Sequence, residues 1–308
     1  MRKNFKFQDD KGLEINAYKW IPNNERSIKA VIQIAHGMTE TVLRYDYFAN
    51  KLCENGYIVY GNDHRGHGLT AKDKEELGYL GDDDGFTLMV KNMNDLTKII
   101  KKNYSNLPLI LFGHSMGSFL SQRYAQVYGD NIDGLILSGT SGKPPLKMNF
   151  GILFSKIEMM LKSKKHKSNV INKLSFGSFN DKFKPCRTEF DWLCSVKEEV
   201  DKYIADDYCG FVSTSSFYHD FFKGLKEIHK PKNMELIPKE LPIYIFAGDK
   251  DPVGDFGKGI LNLYSILEEK GIKNIKYKLY KEGRHEMLNE INKDEVISDV
   301  LDWIKNII

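Results

Sequence analysis

Leu109-Ile110-Leu111-Phe112-Gly113-His114-Ser115-Met116-Gly117 carries an apolar run, too short for a helix, into a serine flanked by glycines, and a helical pattern from Met116 to Tyr128 follows at once. A strand that ends in Gly-x-Ser-x-Gly and turns directly into a helix is a nucleophile elbow. The glycines answer a steric need: a turn sharp enough to lift Ser115 clear of the sheet brings backbone too close for a Cβ at 113 or 117. The reading predicts Ser115 at a helix N-terminus with its Oγ exposed, as a candidate nucleophile.

Working outward, Ala30 to Ala35, Tyr57 to Tyr60 and Leu135 to Ser138 repeat the pattern of short apolar runs beside turn residues, which suits strands buried on both faces. Helical patterns at Tyr45 to Asn55 and Gly85 to Lys102 alternate with them, so the spacing predicts an α/β fold with a mostly parallel sheet and helices on both faces. Phe5 and Phe7, a turn at Asp9 to Gly12, and then Leu13, Ile15 and Ala17 predict an opening β-hairpin. The alternation stops after Ser138 and resumes at Leu241 to Ala247. This divides the chain into a first core part (1–140), an insertion after the sixth strand (141–240) and a second core part (241–308). Ile275, Tyr277 and Leu279 predict an edge strand, and Val296 to Ile307 a closing amphipathic helix.

Composition removes several classes of function. With 308 residues, 41% hydrophobic and 28% charged, the chain has material for a sizeable core, and its net charge of +3 is too balanced for a nucleic-acid footprint. Cys53, Cys186, Cys194 and Cys209 form no CxxC pair and read as reduced thiols. The basic Met1-Arg2-Lys3 is followed by no apolar stretch, and no run of about 18 apolar residues occurs, so the expectation is a cytoplasmic protein that does not span a membrane. No GxGxxG or GxxxxGK[ST] follows any strand, so no nucleotide cofactor is called for.

A serine hydroxyl needs a base, and the base needs an acid to orient it. His285 lies in Gly283-Arg284-His285, in the loop after the last strand. Asp249 and Asp251 follow the strand Ile243 to Ala247, within Gly248-Asp249-Lys250-Asp251-Pro252. The chain order is thus Ser, Asp, His. Asp251 is the preferred acid because, three positions beyond the glycine, it is better placed to reach His285; Asp249 reads as a turn-capping carboxylate. Acyl transfer also requires N–H donors for an oxyanion, and the Met116 and Met38 amides are the candidates. His36 reads as structural. Asp63-His64-Arg65-Gly66-His67-Gly68 contains two histidines and a carboxylate but reads as a bracing loop rather than a metal site.

On His36-Gly37-Met38, Asn62-Asp63-His64-Arg65-Gly66-His67-Gly68, Gly113-His114-Ser115-Met116-Gly117, Gly248-Asp249-Lys250-Asp251 and Gly283-Arg284-His285, the chain resembles the monoacylglycerol lipase and lysophospholipase branch of the serine α/β-hydrolases. The resemblance covers nearly everything outside the insertion. It implies Ser115, Asp251 and His285 as a catalytic triad, the amides of Met38 and Met116 as oxyanion hole, no cofactor or metal, and a helical cap made by the insertion. The expected substrate is a small lipid or ester, cleaved through an acyl-enzyme. The rivals are a general carboxylesterase, an aminopeptidase using Glu198-Glu199 or Asp206-Asp207 to hold a substrate amine, and a non-catalytic binding protein, which would be expected to have lost a triad member.

The segment 141–240 holds 10 of the 18 phenylalanines, which suits an apolar roof over a pocket. Within it, Phe150, Leu153, Phe154, Ile157, Met160 and Leu161 share one helical face, expected to pack over the acyl pocket. Ile152 and Met159 lie off that face and are expected to meet lipid, making the cap the point of peripheral membrane contact.

Overall fold

The alternating segments at the start pair as expected: β1 (Arg2–Gln8) runs antiparallel to β2 (Glu14–Trp20), with Phe5 opposite Ala17. In the computed structural model, which describes residues 1–24, 28–145 and 148–308, strands and helices then alternate. The order is β3 (Ala30–Ala35), α1 (Asp46–Glu54), β4 (Tyr57–Asn62), α2 (Gly85–Asn103), β5 (Leu109–His114), α3 (Met116–Tyr128) and β6 (Gly134–Ser138). The insertion carries α4 (Met148–Leu161), α5 (Asn169–Phe176), α6 (Lys197–Ala205), α7 (Ser215–Ile228) and α8 (Pro231–Met234). The core resumes with β7 (Ile243–Gly248), α9 (Lys258–Glu269), β8 (Ile275–Tyr280) and α10 (Lys293–Ile307).

One eight-stranded sheet results, in the order β1-β2-β4-β3-β5-β6-β7-β8, parallel from β4 through β8. Strands β3 to β7 are buried along their whole length because helices cover both faces. Alternate residues serve opposite sides. Leu109, Leu111, Leu135 and Leu137 join Met89, Met93, Leu120 and Leu263 on the face of α2, α3 and α9, whereas Ile110, Phe112 and Ile136 join Phe48, Leu52, Val300 and Trp303 on the face of α1 and α10. The direction of strand addition reverses at β3, which lies between β4 and β5. Crevices at such switch points, outside the carboxyl ends of the strands, are where this class of sheet binds ligands. Ala35 and His114, the last residues of β3 and β5, sit there.

The insertion divides in its packing. Phe217, Tyr218, Phe221, Leu225 and Ile228 of α7 merge with the core on the α2 and α3 side, while Trp192, Leu193, Cys194, Val200 and Tyr203 form a small cluster of their own. In α4 the structure reverses the sequence expectation. Phe150, Met160 and Leu161 are 75%, 78% and 80% exposed, and Leu153, Phe154 and Ile157 are exposed with them, while Ile152 and Met159 are half-buried. The face that packs on α7 is instead polar: Ser155 Oγ lies 3.2 Å from His219 Nδ1, and Ser215 Oγ donates to Glu158 Oε2 at 2.7 Å. Paired polar groups were free to take the buried side because each finds its partner there.

Candidate active site

Ser115 takes φ 51° and ψ −119° between β5 and α3, a backbone state that only an over-determined turn imposes on a non-glycine residue. Its surroundings supply the constraint. A Cβ on Gly117 would overlap the carbonyls of Ala35 and His36, and one on Gly113 would overlap the Gly117 carbonyl. Ser115 N–H donates to Ser138 O at 2.9 Å, so the serine is anchored across two strand ends, and it is half-buried while its neighbours are buried.

The loops after β7 and β8 meet through a second close approach. A Cβ on Gly248 would overlap the Gly283 carbonyl, and this contact sets Asp251 beside His285. His285 Nδ1 lies 3.0 Å from both Asp251 carboxylate oxygens, with His285 2% exposed and Asp251 fully buried. Val253 N–H donates to Asp251 Oδ1 at 2.8 Å and holds the carboxylate in place. Asp249 goes elsewhere: its Oδ1 accepts Glu282 N–H at 2.8 Å and closes the turn before the histidine. Burial alone would lower the pKa of His285, but the Asp251 charge and hydrogen bond, helped by Glu286 and Glu40, raise it above the ordinary histidine value. With Nδ1 committed to Asp251, Nε2 is the nitrogen left to accept a serine proton.

The bridge from His285 to the elbow is His114, the middle residue of Gly-x-Ser. Its ring centroid is 4.7 Å from that of His285, its Nδ1 is 3.2 Å from Ser138 Oγ, and burial followed by the neighbouring His285 holds it well below the ordinary histidine pKa. A neutral ring thus supports the imidazole without adding a competing charge.

The loop after β3 lies against the serine on the other side, where a Cβ on Gly37 would stand 3.3 Å from Ser115 Cβ. Met38 belongs to this loop. Met116 opens α3, and its amide therefore has no acceptor within the helix. Both candidate oxyanion donors stand in segments that flank Ser115. His36 is structural: Nδ1–H donates to Gly37 O at 2.8 Å while Nε2 accepts His64 N–H at 2.9 Å, a pair of bonds that fixes one neutral tautomer. In the bracing loop, Asp63 accepts from Asn16, Val42 N–H and Leu69 N–H at 3.0 to 3.1 Å. Among the described residues, no group of three or more His, Cys, Asp or Glu side chains is placed to hold a metal ion.

Three residues that the sequence reading passed over tie these loops together. Glu40 accepts the Gly37 amide and the Tyr45 hydroxyl, and Arg44 donates to Glu40 at 2.6 Å and in bidentate fashion to Glu286 at 2.6 and 2.7 Å. Burial opposes the Glu286 charge, yet the Arg44 guanidinium pulls its pKa down to about 2. A buried ion cluster thus joins the 36–40 loop to the residue after His285. The signal was present in the sequence only as Glu40-x-x-x-Arg44-Tyr45, and without the fold it reads as an ordinary i, i+4 pair.

Three of the four acidic residues weighed as an amine site are otherwise engaged. Glu199 pairs with Lys202 at 3.0 Å, Asp206 Oδ1 accepts Tyr208 N–H at 2.9 Å, Asp207 pairs with Lys74, and Glu198 is exposed.

The model of the serine aminopeptidase S33 family matches residues 26–292. A monoacylglycerol lipase of Mycolicibacterium smegmatis is 25% identical over 95% of this chain and 93% of its own, and a monoglyceride lipase of Rattus norvegicus is 24% identical over 93% and 85%. Among solved structures, a thermostable carboxyl esterase from Bacillus coagulans, in complex with glycerol, superposes with a TM-score of 0.92 at 30% identity, covering 99% of this chain and 98% of its own. The chain belongs to the serine aminopeptidase S33 family of α/β-hydrolases, within the branch of ester hydrolases that includes the monoacylglycerol lipases and lysophospholipases.

Proposed function

We propose that the protein is a monoacylglycerol lipase or lysophospholipase, in which Ser115, His285 and Asp251 form the catalytic triad and residues 141–240 act as a cap. The observation that carries the reading is the strained Ser115 elbow, whose neighbour His114 packs at 4.7 Å against the imidazole of a buried His285–Asp251 pair. Ser115 Oγ attacks the ester carbonyl while His285 Nε2 takes its proton, and the amides of Met38 and Met116 receive the charge that develops on the carbonyl oxygen. Collapse of the tetrahedral intermediate returns the proton to the leaving alcohol and leaves the acyl group on Ser115. Water, activated by the same histidine, then releases the fatty acid. Asp251 keeps Nδ1 protonated and steadies the imidazolium in both halves.

The names of the relatives support a lipid ester over other acyl substrates, and the prior engagement of Glu199, Asp206 and Asp207 speaks against an aminopeptidase. The exposed apolar face of α4 supports peripheral contact with lipid, although no helix among the described residues is long and apolar enough to cross a membrane. All four cysteines are free thiols, which suits a cytoplasmic enzyme.

Ser115→Ala is expected to abolish hydrolysis of a monoacylglycerol and of a lysophospholipid without altering the fold, and a fluorophosphonate probe should label the wild type at Ser115 alone. An active alanine variant would end the serine mechanism. Comparing those two lipids with p-nitrophenyl esters and an aminoacyl anilide separates the substrate classes.

A further inference from the structure

Trp192 lies in the insertion, far in sequence from every motif, yet its indole centroid is 5.0 Å from the His285 ring at an interplanar angle of 39°. His114 approaches the same imidazole at 4.7 Å. The histidine is therefore in contact with two aromatic rings, one from β5 and one from the insertion. The indole is held in turn, stacked on Phe176 at 6.2 Å and 9° and edge-on to Phe179 at 4.8 Å, and it is 8% exposed.

Its backbone is fixed to the histidine loop on both sides. Glu286 N–H donates to Leu193 O at 2.8 Å, Arg284 donates to the carbonyls of Asp191 and Cys194, Ser195 N–H donates to Glu290 Oε1 at 2.9 Å, and Glu290 Oε1 also accepts Arg284 N–H at 3.0 Å. Residues 191–195 thus behave as part of the His285 loop although the chain places them in the insertion. A structural core contact would need only the apolar area of the indole. Here the indole lies 5.0 Å, at a 39° tilt, from the one ring that must change charge during the proposed reaction, and an imidazolium within about 6 Å of an aromatic ring centroid is stabilised by the ring's π system.

We propose that Trp192 is a positioning residue for His285, holding the imidazole in place from the insertion side and favouring its protonated form in the transition state. The proposal rests on the reading of His285 as general base. Other groups also set the charge of this ring: Asp251 from the β7 loop, Glu286 in its own loop, Glu40 from the β3 loop, His114 from β5, and Arg44, which joins the two glutamates. None of them is altered by replacing the indole.

Trp192→Leu is expected to lower the plateau of kcat roughly three- to thirtyfold, with KM little changed, and to move the acid limb of kcat/KM to lower pH, because the protonated ring has lost a stabilising neighbour. Trp192→Phe, which restores an aromatic face, should recover most of the rate and return the limb towards the wild type. A packing defect alone would lower the rate without moving the limb in that direction, and phenylalanine would not rescue the limb. A second readout does not depend on the leucine variant folding: protonated imidazole quenches a neighbouring indole, so wild-type tryptophan emission should rise through the pH of the limb, and the step should vanish in Trp192→Phe and in His285→Ala. Absence of the step in the wild type, or a Trp192→Leu enzyme with wild-type plateau and limb, overturns the proposal. Failure of the underlying reading looks different: His285→Ala would then retain ester hydrolysis, whatever the tryptophan variants do.

Discussion

Two aspartates stand two positions apart after β7, and their partners give them different work. Asp251 receives His285 and is closed off from water, whereas Asp249 receives a backbone amide at the rim of the same turn. Asp251→Asn keeps the shape but can hold the imidazole in the wrong tautomer and gives no charge to the imidazolium, so kcat should fall about a thousandfold or more. Asp249→Asn loses a single charge-assisted bond and should cost less than about tenfold. Steady-state kinetics of the two variants on one soluble ester check the assignment, and equal losses would refute it. At this scale the sequence was informative, because Ser115, Asp251 and His285 each follow a strand and local pattern gives the strand ends. Trp192 was illegible for the opposite reason. Its own surroundings in the sequence carry no triad motif, and only the hydrogen bonds that Arg284, Glu286 and Glu290 make to its segment bring it beside the histidine.

The helix α4 shows where pattern reasoning loses its hold at the scale of an element. Six apolar residues at helical spacing satisfy the rule for a buried face, but that rule assumes that polar residues go to water. Ser155 and Glu158 found partners on α7 and took the inner side, and the apolar stripe was left outside. An exposed apolar stripe on a chain this well packed calls for a partner, and an enzyme acting on aggregated lipid has one in its substrate surface. Leu153 and Met160 are the points to test, since both are exposed and neither supports the core. Replacing both with Asp should weaken binding to liposomes about tenfold to a hundredfold and slow hydrolysis of dispersed long-chain substrate, with a soluble short-chain ester cleaved as before. The inward pair, Ile152 and Met159, gives the reverse contrast: aspartate there should lower Tm and reduce both activities together. If the Leu153 and Met160 variant binds liposomes like the wild type, α4 does not meet lipid.

Over the whole molecule, the site is built on buried neutral histidines, and this gives the fold a defined weakness to acid. His36, His64 and His67 lie with ring centroids 4.3 to 6.4 Å apart at the 36–38 loop, His114 lies under His285, and His229 is half-buried in a separate place with no hydrogen-bond partner for either nitrogen among the described residues. Burial is the leading cause that lowers His64 to about 3, His67 and His229 to about 4, and His36 and His114 well below the usual value. Above about pH 6.5 neither folded nor unfolded chain protonates these rings, and stability is unaffected. As pH falls below that value the unfolded chain takes protons that the fold refuses, so stability drops until each folded ring titrates, by up to about 3 kcal/mol for His67. Asp63 and Asp220, raised to about 6 by burial, and Glu40, also raised by burial, act in the opposite direction and gain stability as pH falls, as does His285, which Asp251 raises. The five lowered histidines outweigh these three carboxylates and one raised histidine. Tm should therefore fall steeply between pH 6.5 and 4, and His67→Gln, which can keep the bond to Arg65 O while losing the titrating ring, should flatten the slope. Activity should be lost in two stages. Protonation of His285, whose pKa is raised, comes first and reverses on return to neutral pH; unfolding driven by the buried histidines follows at lower pH. Calorimetry across the pH range, paired with assays after a jump back to pH 7.5, separates the two, and a Tm that holds level down to pH 4 would show that these rings are not kept neutral by the fold.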